Sequence, residues 1–247
     1  MNKLHRVAQL IFVSCLILGL GYWQQKGWAA GPAGNELKQF FSSAAAARAL
    51  GLSSAYVPVS ASPLAVISVT SLGDGAANAA NCPGASCRLR DAIAKAAAGD
   101  TINFSVTGTI TLTNGQLDIT KNLTIDGPGA AQLTISGDST SRVFFMTSGN
   151  TVLIQDVTIA NGNSSTLGGG ISNNGTLTLN NCTLSTNRAT NGGGGVYNQG
   201  SLTITNCLLS GNSSPTGSGG GIFTIAGLTN ISGSTFTNNS ADCLLDT

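Results

Sequence analysis

Apolar residues in the second half of the chain alternate with polar ones in short bursts, which are separated by Asn, Gly and Ser. The clearest bursts are Leu177 with Leu179, Cys182 with Leu184, and a third that begins at Ile171 after a run of glycines. Alternation over three to five residues is typical of short strands with one buried face. No helical rhythm is visible in this part of the chain, so the pattern predicts an all-β body.

The bursts recur about every 25 residues. Segments 168–187 and 193–212 are identical at 12 of 20 positions at an offset of 25. A fixed period places equivalent residues above one another, about 4.8 Å apart, so each strand pairs in parallel with the next coil. We therefore expect a parallel β-helix, right-handed by the usual chirality of parallel crossovers, rather than the alternative of an antiparallel sandwich. Leu177 should stack on Val152 and Leu202, and Leu184 on Ile159 and Leu209.

Further copies flank these two. A later copy carries equivalent residues with a slip of two, namely Ile231, Ser234, Phe236 and Asn239. An upstream copy shows the same rhythm with one extra residue, at Leu117, Ile119, Leu123 and Ile125. This alignment places Asp126 over Ala160 and Asp156 over Asn122, so that no two carboxylates share a column.

Three recurring columns have structural interpretations. Val157, Cys182, Cys207 and Ser234 form a column of small core residues, in which the two thiols are not expected to react. The column of Asn187, Asn212 and Asn239 predicts a turn with left-handed backbone and stacked amides. The triple glycines predict a second bend, with positive φ angles or close backbone packing.

The N-terminus predicts export. A basic start is followed by the apolar run 7–20 and small residues near position 29, so residues 1–29 resemble a signal peptide rather than a membrane anchor. An Ala/Ser-rich lead-in, 30–64, follows. The mature chain keeps 8 basic and 10 acidic residues (8 − 10 = −2), because Lys3, Arg6 and Lys26 leave with the signal. This balance predicts no nucleic-acid partner, and no membrane partner after the signal is removed.

A cap should cover the N-terminal end of the coils, since an open β-helix end exposes apolar residues and unpaired strand edges. Residues 65–100 suit this task, with a strand at 67–70 and a helix at 88–98 whose Leu89, Ile93 and Ala97 share one face. The coils then begin at Thr101. Cys82 and Cys87 lie in a turn-rich loop and are candidates for a disulfide in an exported protein, with a zinc site as the alternative.

The segment Cys87-Arg88-Leu89-Arg90-Asp91-Ala92-Ile93 resembles the C-S-L-R-E-A-I signature of the bacterial CSLREA domain. Residues 99–104 and 123–129 are similar to that family as well, and the resemblance extends over about residues 65–242. It departs at Arg88, where the family has Ser or Thr, and at Asp91, where Glu is usual. The resemblance implies a secreted or surface protein with a right-handed, pectate-lyase-like β-helix. Arg90 is expected to cap coil carbonyls or to pair with a carboxylate, rather than to contact a substrate.

The composition favours a secreted or cell-surface scaffold, adhesin-like, that binds glycans or other surfaces without catalysis. Charged residues make up 9% of the chain, compared with roughly 25% in an ordinary soluble domain. One alternative is a polysaccharide lyase that acts on uronates with calcium. Its weak candidate residues would be Asp118, Lys121, Asp126, Arg142 and Asp156. No other cofactor or metal is expected.

A third hypothesis concerns the C-terminal region, 101–247, in which the coils continue to a repeat signature close to the last residue. Natural solenoids usually cover their ends. This position predicts either a truncated fragment of a longer surface protein or a body whose open C-terminal end docks on another chain.

Overall fold

A computed structural model describes residues 64–242, and within them the chain winds into a parallel β-solenoid of about six turns. This confirms the parallel stacking that the 25-residue period predicts. The predicted signal peptide, nearly all of the lead-in and residues 243–247 lie outside the described residues.

Four parallel sheets form the walls, and we number their strands in chain order. The first sheet stacks β1 (Val66–Val69), β2 (Thr101–Phe104), β5 (Leu123–Asp126), β8 (Thr151–Gln155), β12 (Thr176–Asn180), β16 (Ser201–Thr205) and β20 (Thr229–Ser232). The second stacks β3 (Gly108–Thr111), β6 (Leu133–Ser136), β9 (Thr158–Ala160), β13 (Thr183–Ser185), β17 (Leu208–Ser210) and β21 (Thr235–Thr237).

The other two sheets complete each coil. The third stacks β4 (Leu117–Ile119), β7 (Phe144–Met146), β11 (Ile171–Asn173), β15 (Val196–Asn198) and β19 (Ile222–Thr224). A short fourth sheet lies between the second and the third along the chain, with β10 (Asn163–Ser164), β14 (Arg188–Ala189), β18 (Ser213–Ser214) and β22 (Ser240–Ala241).

The strand register confirms the predicted columns in the central coils. Leu177 pairs with Val152 on one side and Leu202 on the other. Leu184 likewise lies between Ile159 and Leu209 in the second sheet. The inward residues of these strands are fully buried and form one continuous core along the solenoid axis. The later copy follows with the predicted slip of two, because Ile231 pairs with Ile204 and Phe236 with Leu209.

The predicted alignment of the upstream copy is wrong by one sheet. Leu123 pairs with Val152 in the first sheet, at an offset of 29 residues (152 − 123), and does not belong to the second-sheet column. Leu117 pairs with Phe144 in the third sheet. All the strands carry the same alternation, so the rhythm alone does not say which wall a strand joins once the loops change length.

Left-handed residues turn the chain at two corners of each central coil. At the first corner they are Asp156, Asn181, Asn206 and Gly233, with φ between 52° and 58°. At the second they are Asn161, Thr186, Gly211 and Asn238, with φ between 50° and 62°. The left-handed backbone therefore falls one residue before Asn187, Asn212 and Asn239, and not on them as predicted. Those three asparagines point inward instead.

The inward asparagines form the stacked column that the repeat predicts. The Oδ1 atom of Asn212 accepts two hydrogen bonds from Asn187, one from the backbone N–H at 3.0 Å and one from the side-chain Nδ2 at 2.9 Å. Asn239 repeats both contacts one coil later, at 3.1 and 2.9 Å. Each inward asparagine thus supplies the acceptor that the corner N–H of the preceding coil would otherwise lack.

At the first corner, the side chains of the cysteine column likewise accept a backbone N–H from the preceding coil. The Cys207 sulfur accepts the Cys182 N–H at 3.4 Å, and the Ser234 Oγ accepts the Cys207 N–H at 3.0 Å. Both thiols are buried and free. Contact with Cys207 and burial raise the pKa of the Cys182 thiol, which keeps it protonated and unreactive.

The glycine runs make the second predicted bend. Gly168, Gly193 and Gly219 have φ of 65° to 66°, which favours glycine. At the following positions Gly169 and Gly194, an added Cβ would collide with a carbonyl of the adjacent coil, the Arg188 and Ser213 oxygens respectively. Positive φ and close packing both occur there.

The cap contains the predicted strand β1, a short 3-10 helix (Ala79–Asn81) and one α-helix, α1 (Leu89–Lys95). The helix is shorter than the predicted 88–98, because the Asp100 side chain accepts the Ala97 N–H at 2.8 Å and holds the chain in a turn. Ala96 rather than Ala97 is therefore buried beside Leu89 and Ile93.

We expect Asn212→Ala to lower the free energy of unfolding by about 2–4 kcal/mol, because it leaves two buried donors of Asn187 without an acceptor. Urea denaturation followed by circular dichroism would measure the loss. The matched control is Asn180→Ala on the outer face of β12, where we expect less than about 0.5 kcal/mol. Equal losses for both variants would contradict the role of the corner column.

Candidate functional site

The structure separates the residues that sequence reasoning grouped as weak catalytic candidates. Asp118 lies on the third sheet and Asp126 on the first, while Lys121 lies between those two strands in the chain. Within residues 64–242 no group of three His, Cys, Asp or Glu side chains is placed to hold a metal ion.

Lys121 binds the end of the cap helix. Its Nζ donates to the carbonyls of Ile93 at 3.1 Å and Ala96 at 2.8 Å. These carbonyls have no partner inside the helix, and a cation at a helix C-terminus is stabilising. The ammonium group therefore attaches the cap to the first coil and is not directed at an external ligand.

Each of the three guanidinium nitrogens of the partly buried Arg142 donates to a protein acceptor. Its Nε donates to the Gly168 carbonyl at 2.8 Å, and its Nη2 to the Leu167 carbonyl at 2.7 Å and Ser164 Oγ at 3.2 Å. Its Nη1 reaches Gln116 Oε1 at 2.8 Å. Burial lowers the pKa of the guanidinium, although nearby Asp118 raises it in part. The side chain fastens two coils together.

The carboxylates stack differently from the sequence alignment. Asp126 pairs in register with Gln155, whose Nε2 donates to its Oδ1 at 2.8 Å, and the predicted position over Ala160 is wrong. Asp156 is one of the left-handed corner residues, and its carbonyl accepts the Gly129 N–H. Its predicted position over Asn122 is therefore also wrong. The error has the same origin as the shifted upstream copy. Asp118 is exposed and accepts a hydrogen bond from Gln116 Nε2 at 2.7 Å.

Arg90 meets both expectations for a structural role. Its guanidinium grips the Asp74 carboxylate at 2.8 and 3.0 Å and donates to the carbonyls of Gly115 at 2.6 Å and Gln116 at 2.7 Å. Asp74 in turn accepts the Thr113 and Asn114 N–H groups. The ion pair joins the cap to the first coil.

Arg88 and Asp91, the two positions at which residues 87–93 differ from the signature that they resemble, contact each other. Arg88 Nε donates to Asp91 Oδ2 at 2.7 Å, and the Arg88 backbone N–H reaches the same oxygen at 3.3 Å. Asn78 and Asn81 complete the shell of the buried carboxylate. Burial alone would raise the pKa of Asp91, but these hydrogen bonds outweigh it and hold the pKa far below its usual range.

The loop beside this cluster is closed covalently. Cys82 and Cys87, the predicted candidates, are joined by a disulfide, and both are buried against the cap helix. Neither sulfur is then a thiolate that could bind zinc. The bond fixes the backbone that supplies the Arg88–Asp91 pair.

A shallow open groove of about 470 Å³ lies where the third sheet turns into the first. It is lined by the aromatic ring of Phe145, the hydroxyls of Thr147 and Ser148, and the amides of Asn174 and Gln199. All five side chains are uncharged. An apolar ring beside several hydroxyl and amide groups offers the mixed surface that a polyhydroxylated ligand can use.

Sequence reasoning missed this groove. Its ring belongs to a column at the middle of the third-sheet strands, in which Phe145, Ser172, Tyr197 and Phe223 stand in register. Phe145 and Phe223 are partly exposed, whereas Ser172 and Tyr197 are buried. Tyr197 and Phe223 also contact each other, with ring centroids 6.1 Å apart. The available signal was a large aromatic at a position whose neighbours on both sides point inward.

No family model, curated protein or solved structure matches this chain. The stacking geometry identifies the molecule as a parallel β-solenoid. None of the helices within residues 64–242 is long and apolar enough to cross a membrane.

We expect acid to weaken the cap through Asp91. Its folded pKa lies below the unfolded value of about 3.9, so the ion pair stabilises the fold above about pH 4 and is lost as the pH falls further. As the pH is lowered from about 5 to about 2, the urea concentration at the unfolding midpoint should therefore fall for the wild type. It should fall less for Asp91→Asn.

The matched control is Asp138→Asn, an exposed aspartate in a left-handed conformation that asparagine also adopts. This variant should keep the acid dependence of the wild type. Parallel acid profiles for the wild type and Asp91→Asn would contradict the assignment to Asp91.

Proposed function

We propose that this protein is a secreted or cell-surface scaffold, adhesin-like, which binds glycans through the groove beside Phe145. The groove is the observation that carries the proposal, because it gathers one aromatic ring, two hydroxyls and two amides on an otherwise regular wall. Recognition by uncharged hydrogen-bonding groups and an apolar surface suits polyhydroxylated ligands. No bond-breaking step is part of the proposal.

The rest of the wall supports a scaffold. Ten of the twelve outward positions of the second sheet are Thr or Ser, the exceptions being Ala160 and Leu208. None of the twelve is charged. A long, uncharged face of small, mainly hydroxyl side chains suits a scaffold whose ligand binds at another wall.

We infer export from the N-terminal segment and from the disulfide. A bond between Cys82 and Cys87 forms and persists in an oxidising compartment, which agrees with a secreted or surface location. We also propose that the cap is of the CSLREA type and that the helix is right-handed. The resemblance at residues 87–93 supports this assignment, since Leu89 is buried, Arg90 holds Asp74 and Asp91 occupies the third helical position.

A uronate lyase is supported less well. Such an enzyme needs a cation free to take a proton and carboxylates gathered to hold calcium. Lys121 and Arg142 are the two cations that sequence reasoning offered, and both donate to backbone carbonyls. Asp126 and Asp118 lie on different walls.

We expect the purified protein to be retained on a panel of immobilised plant and bacterial polysaccharides. Phe145→Leu should reduce retention at least tenfold while leaving the thermal unfolding midpoint within a few degrees, because the ring is outward-facing and partly exposed. Asn180→Ala, on the first sheet, is the matched control and should bind like the wild type.

The same preparation should release no unsaturated product from pectin with added calcium, measured by ultraviolet absorbance. Turnover that disappears in Asp126→Ala or Asp156→Ala would replace the scaffold with a lyase. Absence of retention on every polysaccharide would refute glycan binding.

A further inference from the structure

We infer that the groove takes an uncharged glycan chain, which lies parallel to the solenoid axis across three successive coils, and that it rejects uronates. The inference rests on the proposed glycan binding and adds the class and the direction of the ligand. Two features of the structure carry it, namely the order in which the coils supply the lining and the charges beside Phe145.

The lining residues come from consecutive coils. Phe145, Thr147 and Ser148 belong to one coil, Asn174 to the next and Gln199 to the one after. The corners are stacked by backbone hydrogen bonds, since the Asn174 N–H donates to the Met146 carbonyl at 3.2 Å and the Gln199 N–H to the Asn173 carbonyl at 2.8 Å.

This order gives the groove a direction. Stacked parallel strands are about 4.8 Å apart, so the first and third coils lie about 10 Å apart along the axis. A glycan chain along the axis meets a new amide at each coil. A chain that crosses the axis would meet the polar groups of one coil alone.

Charge selects against acidic sugars. The exposed carboxylate of Asp118 stands in register with Phe145, on the next strand toward the N-terminus. The Arg142 guanidinium lies over the Phe145 ring, 5.6 Å from its centroid, but its nitrogens are held by protein acceptors. Lys121 is held by the cap helix.

A uronate in the groove would therefore approach the Asp118 carboxylate, and Arg142 could form an ion pair with it only by giving up protein acceptors that each of its nitrogens already has. The two negative charges would repel each other, and the residues that line the groove offer only neutral hydrogen-bond donors to the uronate. An uncharged sugar meets no such repulsion. It can place an apolar ring face on Phe145 and its hydroxyls on Asn174 and Gln199.

The test compares two ladders of soluble oligosaccharides, from monomer to hexamer, by calorimetry with the full chain. One ladder is β-1,4-linked glucose and the other is galacturonate. We expect binding of the neutral ladder with an affinity that rises until the oligomer spans the three coils and then stays level. The galacturonate hexamer should bind at least tenfold more weakly at low salt, and Asp118→Asn should narrow that gap.

Variants separate direction from class. Gln199→Ala should weaken hexamer binding about threefold to tenfold, the effect of one neutral hydrogen bond, and leave the binding of the monosaccharide at Phe145 unchanged. Asn180→Ala is the control and should change neither. Equal effects on short and long oligomers would overturn the axial direction.

The outcomes also separate this inference from the proposal beneath it. If the protein prefers galacturonate oligomers to glucose oligomers, the inference that the ligand is uncharged is wrong, while the proposal of glycan binding stands. Failure to bind either ladder, together with failure on the polysaccharide panel, would remove both. Binding that survives Phe145→Leu and Gln199→Ala would place the ligand elsewhere on the solenoid and overturn the inference.

Discussion

The solenoid depends on how its corners satisfy backbone N–H groups that leave the strand ladders. In the later central coils a left-handed residue turns the chain at each of two corners, and the following inward side chain (Asn187, Cys207, Asn212 or Ser234) accepts an N–H from the preceding coil. Asparagine does this with the greatest capacity, because its Oδ1 takes both the backbone and the side-chain donor of Asn187. At the other corner a thiol and a hydroxyl supply the acceptor. Buried donors without partners would cost about 1–3 kcal/mol each, so this contact decides which sequences can stack.

The corner rule explains why the sequence is so repetitive where it faces inward and so permissive where it faces outward. The central coils repeat their inward apolar residues and their left-handed residues, and the later ones also repeat the acceptor, because each contacts the same position in the next coil. Outward positions that contact solvent tolerate Thr, Ser, Asn or the partly exposed ring of Phe145. The groove arises from this freedom, since Phe145 and Gln199 occupy outward or corner positions that the core does not constrain.

The sequence predicted the parallel stacking, the core columns of the central coils and the cap, because those features repeat or show alternation. It misplaced Leu117 and Leu123, since loops of unequal length break the period while the alternation stays the same. It also assigned the left-handed backbone to the asparagines and not to the residues before them, because Asn suits both roles. The Asn173–Asn198 pair, bonded at 2.7 Å, was overlooked although the two asparagines stand 25 residues apart. The full lining of the groove could not be predicted, because its residues belong to different coils and share no motif, although Phe145 alone was recognisable as a large aromatic between two inward neighbours.

The sparse charges show what the candidate residues can do. In a chain with few ionic groups, each one must be either hydrated or paired, and a buried one must be paired well. Arg90, Lys121 and Arg142 bind carboxylates and carbonyls that join the cap to the first coil or one coil to the next, and Arg88 pairs with Asp91 within the cap. Acid–base chemistry would have to remove them from these contacts and weaken the fold in doing so. Binding through uncharged side chains makes no such demand, which is why we favour recognition over catalysis for this solenoid.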